Sequence, residues 1–171
     1  MKVSIECVNE YKSWDVNSDW VIKTAASILN FYLDAPEVYD SSCLKDYNYE
    51  KISFDFLLCD SIKTHKINKE YRKKDYPADI ITFSVFADSD EGERFVIDKE
   101  INLGEIIIAL DKMIGGANEK GIKKEEELAF FISHGILHLL GFDHQTEQEY
   151  NFVIEWQKMA LESINIKYDK I

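Results

Sequence analysis

Residues 133–144, Ser-His-Gly-Ile-Leu-His-Leu-Leu-Gly-Phe-Asp-His, contain three of the four histidines in this chain of 171 residues. His134 and His138 are four positions apart, so on a helix their rings project from one face, one turn apart. Gly141 permits the left-handed backbone turn that can bring His144 back toward the other two rings. Imidazoles at this spacing can bind one metal ion at about 2.0–2.1 Å each.

Three imidazoles with a fourth position left for water are typical of catalytic zinc rather than of a closed structural site. The alternative is a set of core histidines hydrogen-bonded to backbone, which is the usual state of a single buried histidine. The spacing also matches the metzincin peptidase pattern H-E-x-x-H-x-x-G-x-x-H at every position but one. Gly135 stands where those enzymes carry a glutamate base, so peptide hydrolysis by their mechanism lacks its proton acceptor.

The rest of the chain predicts one α+β domain, residues 1–171, with a mixed sheet of about four strands packed with helices. The histidines lie in a stretch that is apolar almost all round, which predicts a central buried helix carrying the HxxxH motif, as in zincin metalloproteases. Alternation of apolar and polar residues predicts strands, and apolar residues that recur every three to four positions predict helices. The predicted strands are 2–8, 51–59, 80–86 and 102–109, and the predicted helices are 16–33, 61–73, 125–140 and 147–163.

The formal charge of −12 argues against broad, nonspecific binding to nucleic acid or anionic membranes. Locally, residues 61–75 reverse this balance, with six lysines and arginines against two carboxylates. No apolar run approaches the roughly 20 residues of a membrane span, and early acidic residues argue against a signal peptide. Three scattered cysteines predict neither a disulfide framework nor a cysteine zinc site. We therefore expect a cytoplasmic protein.

The segment HGILHLLGFDH, residues 134–144, resembles the signature of the YbeY family, bacterial rRNA maturation factors regarded as metal-dependent, single-strand-specific endoribonucleases. Residues 67–84, INKEYRKKDYPADIITFS, resemble the family's LNxxYRxxDxPTDVLSF segment, and residues 103–108, LGEIII, resemble its LGDIxI strand. Matches run in the family's order from about residue 50 to residue 145. The departures, none of which removes a ligand, are Ala78, Thr82, Glu105 and Ser133.

The resemblance implies that His134, His138 and His144 hold one zinc ion per chain and that Arg72 joins them as a catalytic residue. Arg72 is one of only two arginines in the chain, and a planar guanidinium can bind phosphate through two parallel hydrogen bonds. Zinc would then activate water or polarise a phosphoryl oxygen, and Arg72 would stabilise the phosphoryl transition state. The alternative for this arginine is a solvated face of a basic helix.

Three further side chains are candidates for a contact with a ligand histidine or with substrate. Asp143 could accept a proton, orient a ligand imidazole or cap the turn after the helix. Glu105 lies on a strand that we expect to run near the site. Asn68 precedes Arg72 by one helical turn, so the two could face substrate together.

The resemblance thus implies an endoribonuclease that acts in 16S rRNA 3′-end maturation and ribosome quality control. Its expected partners are single-stranded RNA, small-subunit rRNA and the ribosomal particle, with a small-subunit ribosomal protein and a ribosome-assembly GTPase as candidate protein partners and no membrane. The basic helix would guide single-stranded RNA, with Tyr71, Tyr76 or Phe142 available for stacking. Two alternatives stay open: a zinc hydrolase of another substrate class, and a non-catalytic assembly factor with a structural metal.

Overall fold

Four strands form the only sheet found in residues 1–169, the part of the chain that our computed structural model describes. The strands are β1 (Lys2–Asn9), β2 (Lys51–Cys59), β3 (Ile80–Phe83) and β4 (Glu100–Ala109). Their order is β1-β2-β4-β3, with β1, β2 and β4 parallel and β3 antiparallel to β4. The predicted mixed four-stranded sheet is confirmed, while residues 170 and 171 of the predicted domain lie outside the described residues.

Six helices surround this sheet in the described part of the chain. They are α1 (Ser18–Asp34), α2 (Pro36–Tyr39), α3 (Ser61–Arg72), α4 (Leu110–Lys120), α5 (Lys124–Leu139) and α6 (Glu147–Ser163). Helix α5 packs against α1, α4 and α6 as well as against β3 and β4, so the histidine helix is central, as predicted. None of the helices in residues 1–169 is both long and apolar enough to cross a bilayer.

The two faces of the sheet carry different helices. Successive residues of β4 point to opposite faces, so Ile106 and Ile107 belong to separate apolar clusters. Ile106 lies in the main core and contacts α5 at Gly135. Ile107 lies in a smaller cluster with Ile67 of α3. Helices α3 and α5 therefore cover opposite faces of the sheet.

Polar side chains set several helix boundaries. The Asn17 side chain accepts hydrogen bonds from the backbone N–H groups of Asp19 and Trp20 and so caps the start of α1. Asp60 caps α3 in the same way, and Thr146 caps α6. Lys73 adopts a left-handed conformation (φ 56°) and ends α3 one residue before the predicted boundary.

The largest differences from the predicted elements are at the end of β3 and in two additional helices. Strand β3 ends at Phe83 rather than at residue 86, because Ser84 turns away from the sheet and donates its hydroxyl to the backbone oxygen of His138 at 2.9 Å. Helices α2 and α4 were not predicted. Helix α4 contains two adjacent glycines, which weaken its intrinsic helix propensity, and it is stabilised instead by burial of Leu110, Met113 and Ala117.

Candidate metal centre

The three histidines converge at the end of α5. His134 and His138 are one turn apart on that helix, with ring centroids 4.5 Å apart and Nε2 atoms 2.9 Å apart. The His144 ring lies 5.4 Å from that of His134 and 5.1 Å from that of His138. One ligand atom from each ring falls within 4.8 Å of the others, so the predicted cluster could hold a metal ion.

The turn after α5 brings His144 into this cluster. Gly141 has a φ of +98°, and this backbone conformation is the left-handed turn expected from the sequence. The backbone N–H of Gly141 donates to His138 O, and the backbone N–H of the following Phe142 donates to Leu137 O, each at 3.0 Å. These bonds complete the helix end and fold the chain back within five residues, which is what a third ligand from so near in sequence requires.

Burial keeps the helical histidines uncharged. It lowers the pKa of His134 to about 4, and the neighbouring charge of His138 adds to the effect. Burial also lowers the pKa of His138, with a further contribution from His144. Neutral imidazoles each offer one nitrogen lone pair, which is the form that binds metals.

The donor set fits a metal ion. Two lone-pair nitrogens at 2.9 Å repel each other unless a cation or a proton lies between them. A tetrahedral ion with bonds of about 2.0–2.1 Å holds its ligand nitrogens about 3.3 Å apart, close to the spacing found here. Imidazole donors suit zinc, copper, iron and nickel alike.

Gln157 on α6 is a part of the site that the sequence analysis missed. Its Oε1 accepts a hydrogen bond from His134 Nδ1 at 3.4 Å, and its Nε2 donates to Ser133 Oγ at the same distance. With the proton on Nδ1, His134 directs the lone pair of Nε2 into the cluster. Gln157 is fully buried on the face of α6 that also buries Val153. A polar residue on an otherwise apolar helix face is the pattern in the sequence that could have indicated its role.

Gly135 lies between the two helical ligands but faces the sheet. A Cβ atom at this position would lie 2.8 Å from Cδ1 of Ile106, closer than unbonded carbons approach. The glycine therefore allows α5 to pack tightly on β4. Glycine has no proton acceptor, so this position supplies no metzincin-type base.

Asp143 has the geometry of a turn cap. Its Oδ1 accepts the backbone N–H of His144 at 2.7 Å. Its negative charge also raises the pKa of His138, opposing part of the effect of burial. The carboxylate is exposed beside the cluster, so the structure brings this candidate together with the three histidines.

Arg72 belongs to a helix that lies on the other face of the sheet from the histidine helix. Arg72 is exposed at the last position of α3, and α3 covers the face opposite to α5. The predicted partner Asn68 is 0% exposed, and its Nδ2 donates to Tyr76 O at 2.9 Å. Asn68 therefore holds the loop after α3 and does not face substrate with Arg72, contrary to expectation.

Glu105 is also on the α3 side. It lines a groove of about 620 Å³ together with Asp55, Tyr71 and Phe83. Burial raises the pKa of its carboxyl group, and the negative charge of Asp55 raises it further. The expectation that Glu105 supports a ligand histidine is wrong, because the strand does pass the site but this side chain points away from it.

The remaining predicted features are surface groups or packing groups. His65 is partly exposed, contacts Asp75 at 2.8 Å and lies outside the histidine cluster. Tyr71 and Tyr76 are largely exposed. Phe142 instead packs against Phe152 with ring centroids 5.3 Å apart, which leaves it poorly placed to stack on a base.

Comparison with known proteins agrees with this architecture. The family model described as Endoribonuclease YbeY matches residues 6–165. The Endoribonuclease YbeY of Bacillus subtilis is 34% identical over 169 residues, which cover 98% of this chain and 99% of that protein. The one from Fusobacterium nucleatum is 35% identical over 152 residues, covering 82% and 90%. The one from Bacillus licheniformis is 48% identical over 98 residues, covering 56% and 61%.

A solved structure shows the same fold. The solution structure of a protein from Thermotoga maritima superposes with a TM-score of 0.56 over 95% of this chain and 92% of the other. Its sequence is 18% identical, so this likeness concerns the fold alone. Together with the near full-length match to the relative from Bacillus subtilis, the family model establishes that the chain belongs to the Endoribonuclease YbeY family.

Proposed function

We propose that this protein is a zinc-dependent endoribonuclease that cleaves single-stranded RNA, acting in 16S rRNA 3′-end maturation and in ribosome quality control. The observation that carries the proposal is the convergence of His134, His138 and His144, whose ligand atoms lie within 4.8 Å of one another. Membership of a family named for endoribonuclease activity supplies the reaction class.

The chain's own residues prepare the site for the metal. Burial keeps His134 and His138 neutral, and Gln157 holds the His134 ring with Nε2 toward the cluster. Bound there, zinc would lower the pKa of a coordinated water to about 7 and polarise a phosphoryl oxygen. The exposed carboxylate of Asp143, beside His144, would accept the proton of the attacking water.

Arg72 would bind a phosphate group of the RNA. Its guanidinium is exposed at the end of α3, in a segment (residues 61–75) with six basic residues against two carboxylates. Such a segment attracts a phosphate backbone while the overall charge of −12 repels nucleic acid elsewhere. Because α3 and α5 cover opposite faces, RNA that contacts both Arg72 and the histidines would pass around the edge strand β3. The arginine would then stabilise negative charge on the bound phosphoryl group.

The same charge distribution supports a defined partner over generic RNA. We place the activity in the cytoplasm, on small-subunit rRNA within a ribosomal particle. A small-subunit ribosomal protein and a ribosome-assembly GTPase are the proposed protein partners. Docking to such a particle would bring the basic segment to its RNA despite the acidic remainder of the surface.

The test is cleavage of a labelled single-stranded RNA by the purified protein, with and without added zinc. His138→Ala should abolish cleavage and lower the bound zinc from one ion per chain to near none. His65→Ala is the matched control, because it removes a histidine that lies outside the cluster, in a partly exposed contact with Asp75. Both variants should retain the circular dichroism spectrum of the wild type.

Three outcomes would refute the proposal. Equal cleavage by His138→Ala and wild type would identify a contaminating nuclease. Cleavage of a peptide library but not of RNA would assign the protein to another hydrolase class. A variant that unfolds, together with a wild type that hydrolyses no polymer, would indicate an assembly factor whose metal is structural.

A further inference from the structure

Beside the histidine cluster lies a cavity of about 340 Å³ with a largely apolar and aromatic wall. Its apolar and aromatic lining residues are Ile80, Phe130, Phe131, Tyr150 and Ile154, and its polar lining residues are Asp79, Lys120 and His134. We infer that this cavity is a nucleobase-binding subsite that holds the base of a nucleotide adjoining the cleaved phosphodiester. The inference rests on the proposed function and specifies how that site would recognise its substrate.

The position of the cavity follows from the repeat of α5. Phe130 and Phe131 precede His134 by four and three residues, so they lie on the same face about one turn, or about 5.4 Å, nearer the helix start. His134 belongs both to the metal cluster and to the cavity wall. A phosphodiester held at the histidines would therefore present its neighbouring base directly to the cavity.

The size and chemistry of the cavity suit one base. A volume of about 340 Å³ is at the lower end of the range for small-molecule sites and is large enough for a nucleobase. Single-stranded RNA is held mainly by stacking of splayed bases on aromatic side chains. Phe130, Phe131 and Tyr150 provide such rings on two different helices, α5 and α6, so a planar group can enter between them.

One wall is fixed before any ligand binds. The ring of Phe130 stacks on that of Tyr168, with centroids 4.4 Å apart and an interplanar angle of 4°. The Tyr168 hydroxyl donates to Glu127 at 2.6 Å, and the Lys120 ammonium donates to Tyr168 at 2.9 Å. Tyr150, by contrast, is 48% exposed and can close over a bound ring. A rigid wall facing an exposed ring lowers the cost of ordering the site on binding.

Two charged side chains, Asp79 and Lys120, line the cavity. The Lys120 ammonium is paired with Glu127 at 2.9 Å and donates to the Tyr168 hydroxyl at 2.9 Å, so its charge is balanced within the wall. The Asp79 carboxylate lines the cavity, and its side chain is 54% exposed. Its ion pair with Lys112 is long, with 3.5 Å between Oδ1 and Nζ. A carboxylate repels phosphate and accepts hydrogen bonds from the exocyclic amino groups of bases. Adenine, guanine and cytosine should therefore bind better than uracil, which has no amino group.

The experiment uses metal-free protein, so that binding is measured without cleavage. A short single-stranded RNA carries one 2-aminopurine, whose fluorescence is quenched on stacking, and affinity is followed by anisotropy. Tyr150→Leu should lose most of the quenching and weaken binding roughly ten- to hundredfold, the effect of losing one stacked base. Phe95→Leu is the matched control, since Phe95 is 74% exposed and lies outside the cavity, and it should behave as wild type.

The outcomes separate this inference from the proposed function. Unchanged quenching and affinity in Tyr150→Leu, with cleavage by the wild type intact, would refute the subsite and leave the nuclease proposal standing. An apolar peptide that displaces the RNA from the cavity at equal concentration would assign it to peptide side chains and overturn the inference. A wild type that neither binds nor cleaves RNA would refute both proposals.

Discussion

Replacement of Gly135 by alanine should destabilise the protein, although alanine is the better helix former. Within α5 the change is worth about 1 kcal/mol in favour of alanine. The added Cβ would lie 2.8, 3.0 and 3.1 Å from three side-chain carbons of Ile106, and overpacking of this kind costs about 1–3 kcal/mol. We therefore expect the free energy of unfolding to fall by about 1 kcal/mol, measured by urea denaturation.

Gly115 provides the matched control. It lies inside α4, and nothing would lie within 4 Å of a Cβ added there. Gly115→Ala should raise the free energy of unfolding by about 0.5–1 kcal/mol. Adding Ile106→Val to the Gly135→Ala variant removes the nearest clashing carbon. The loss in free energy of unfolding caused by Ile106→Val should therefore be smaller in that variant than in the wild type.

The opposite result would refute the packing argument. If Gly135→Ala stabilised the protein as much as Gly115→Ala does, the distance between α5 and the sheet would not be limited at this position. Additive effects of the substitutions at positions 135 and 106 would lead to the same conclusion, because coupling is expected only for residues in contact.

Gln157→Leu should weaken zinc binding roughly ten- to hundredfold in a chelator competition. In ¹⁵N NMR of the metal-free variant, His134 should no longer be confined to the Nδ1–H form. Gln157→Glu should preserve both the zinc affinity and the Nδ1–H form. Wild-type affinity in Gln157→Leu would contradict this role. Glu105→Gln should raise the free energy of unfolding at pH 7, because burial and the charge of Asp55 raise the folded-state pKa of Glu105 and so destabilise its charged carboxylate. This gain in stability should vanish below about pH 4, where the wild-type carboxyl is protonated in both the folded and the unfolded state. A gain that persisted in acid would contradict this explanation. Asn68→Ala should lower the free energy of unfolding by about 1 kcal/mol, and Asn68→Asp by more, because a buried carboxylate is desolvated and cannot donate to the backbone. Equal free energies of unfolding for the wild type, Asn68→Ala and Asn68→Asp in a urea titration would contradict this explanation.

Much of the fold was predictable from short-range patterns. The alternation in β2 gave its observed bounds, Lys51–Cys59, and the amphipathic pattern of α6 gave Glu147–Ser163. The cluster of His134, His138 and His144 was predictable for the same reason. Its geometry depends on the repeat of one helix and on one glycine turn, both of which are local properties of the backbone.

Other features of the site depend on contacts between residues that are distant in the chain. Gln157 reaches His134 across 23 positions, and no spacing rule relates α6 to α5. Glu105 was expected near the histidines because its strand passes there, but strand alternation directs its side chain to the other face. Asn68 and Arg72 are one turn apart, yet one is buried by the loop that follows and the other is exposed.

The sequence by itself therefore determined the histidine triplet and most of the elements, since helix and strand periodicity relate neighbouring residues without reference to the rest of the molecule. Only the tertiary structure decided that α3 covers one face of the sheet and α5 the other. The same packing put the helix that carries Arg72 on the face away from the histidine helix and formed the aromatic cavity beside His134. These outcomes depend on how all the helices share the two faces of one sheet, and that arrangement is settled by burial of apolar surface across the whole chain.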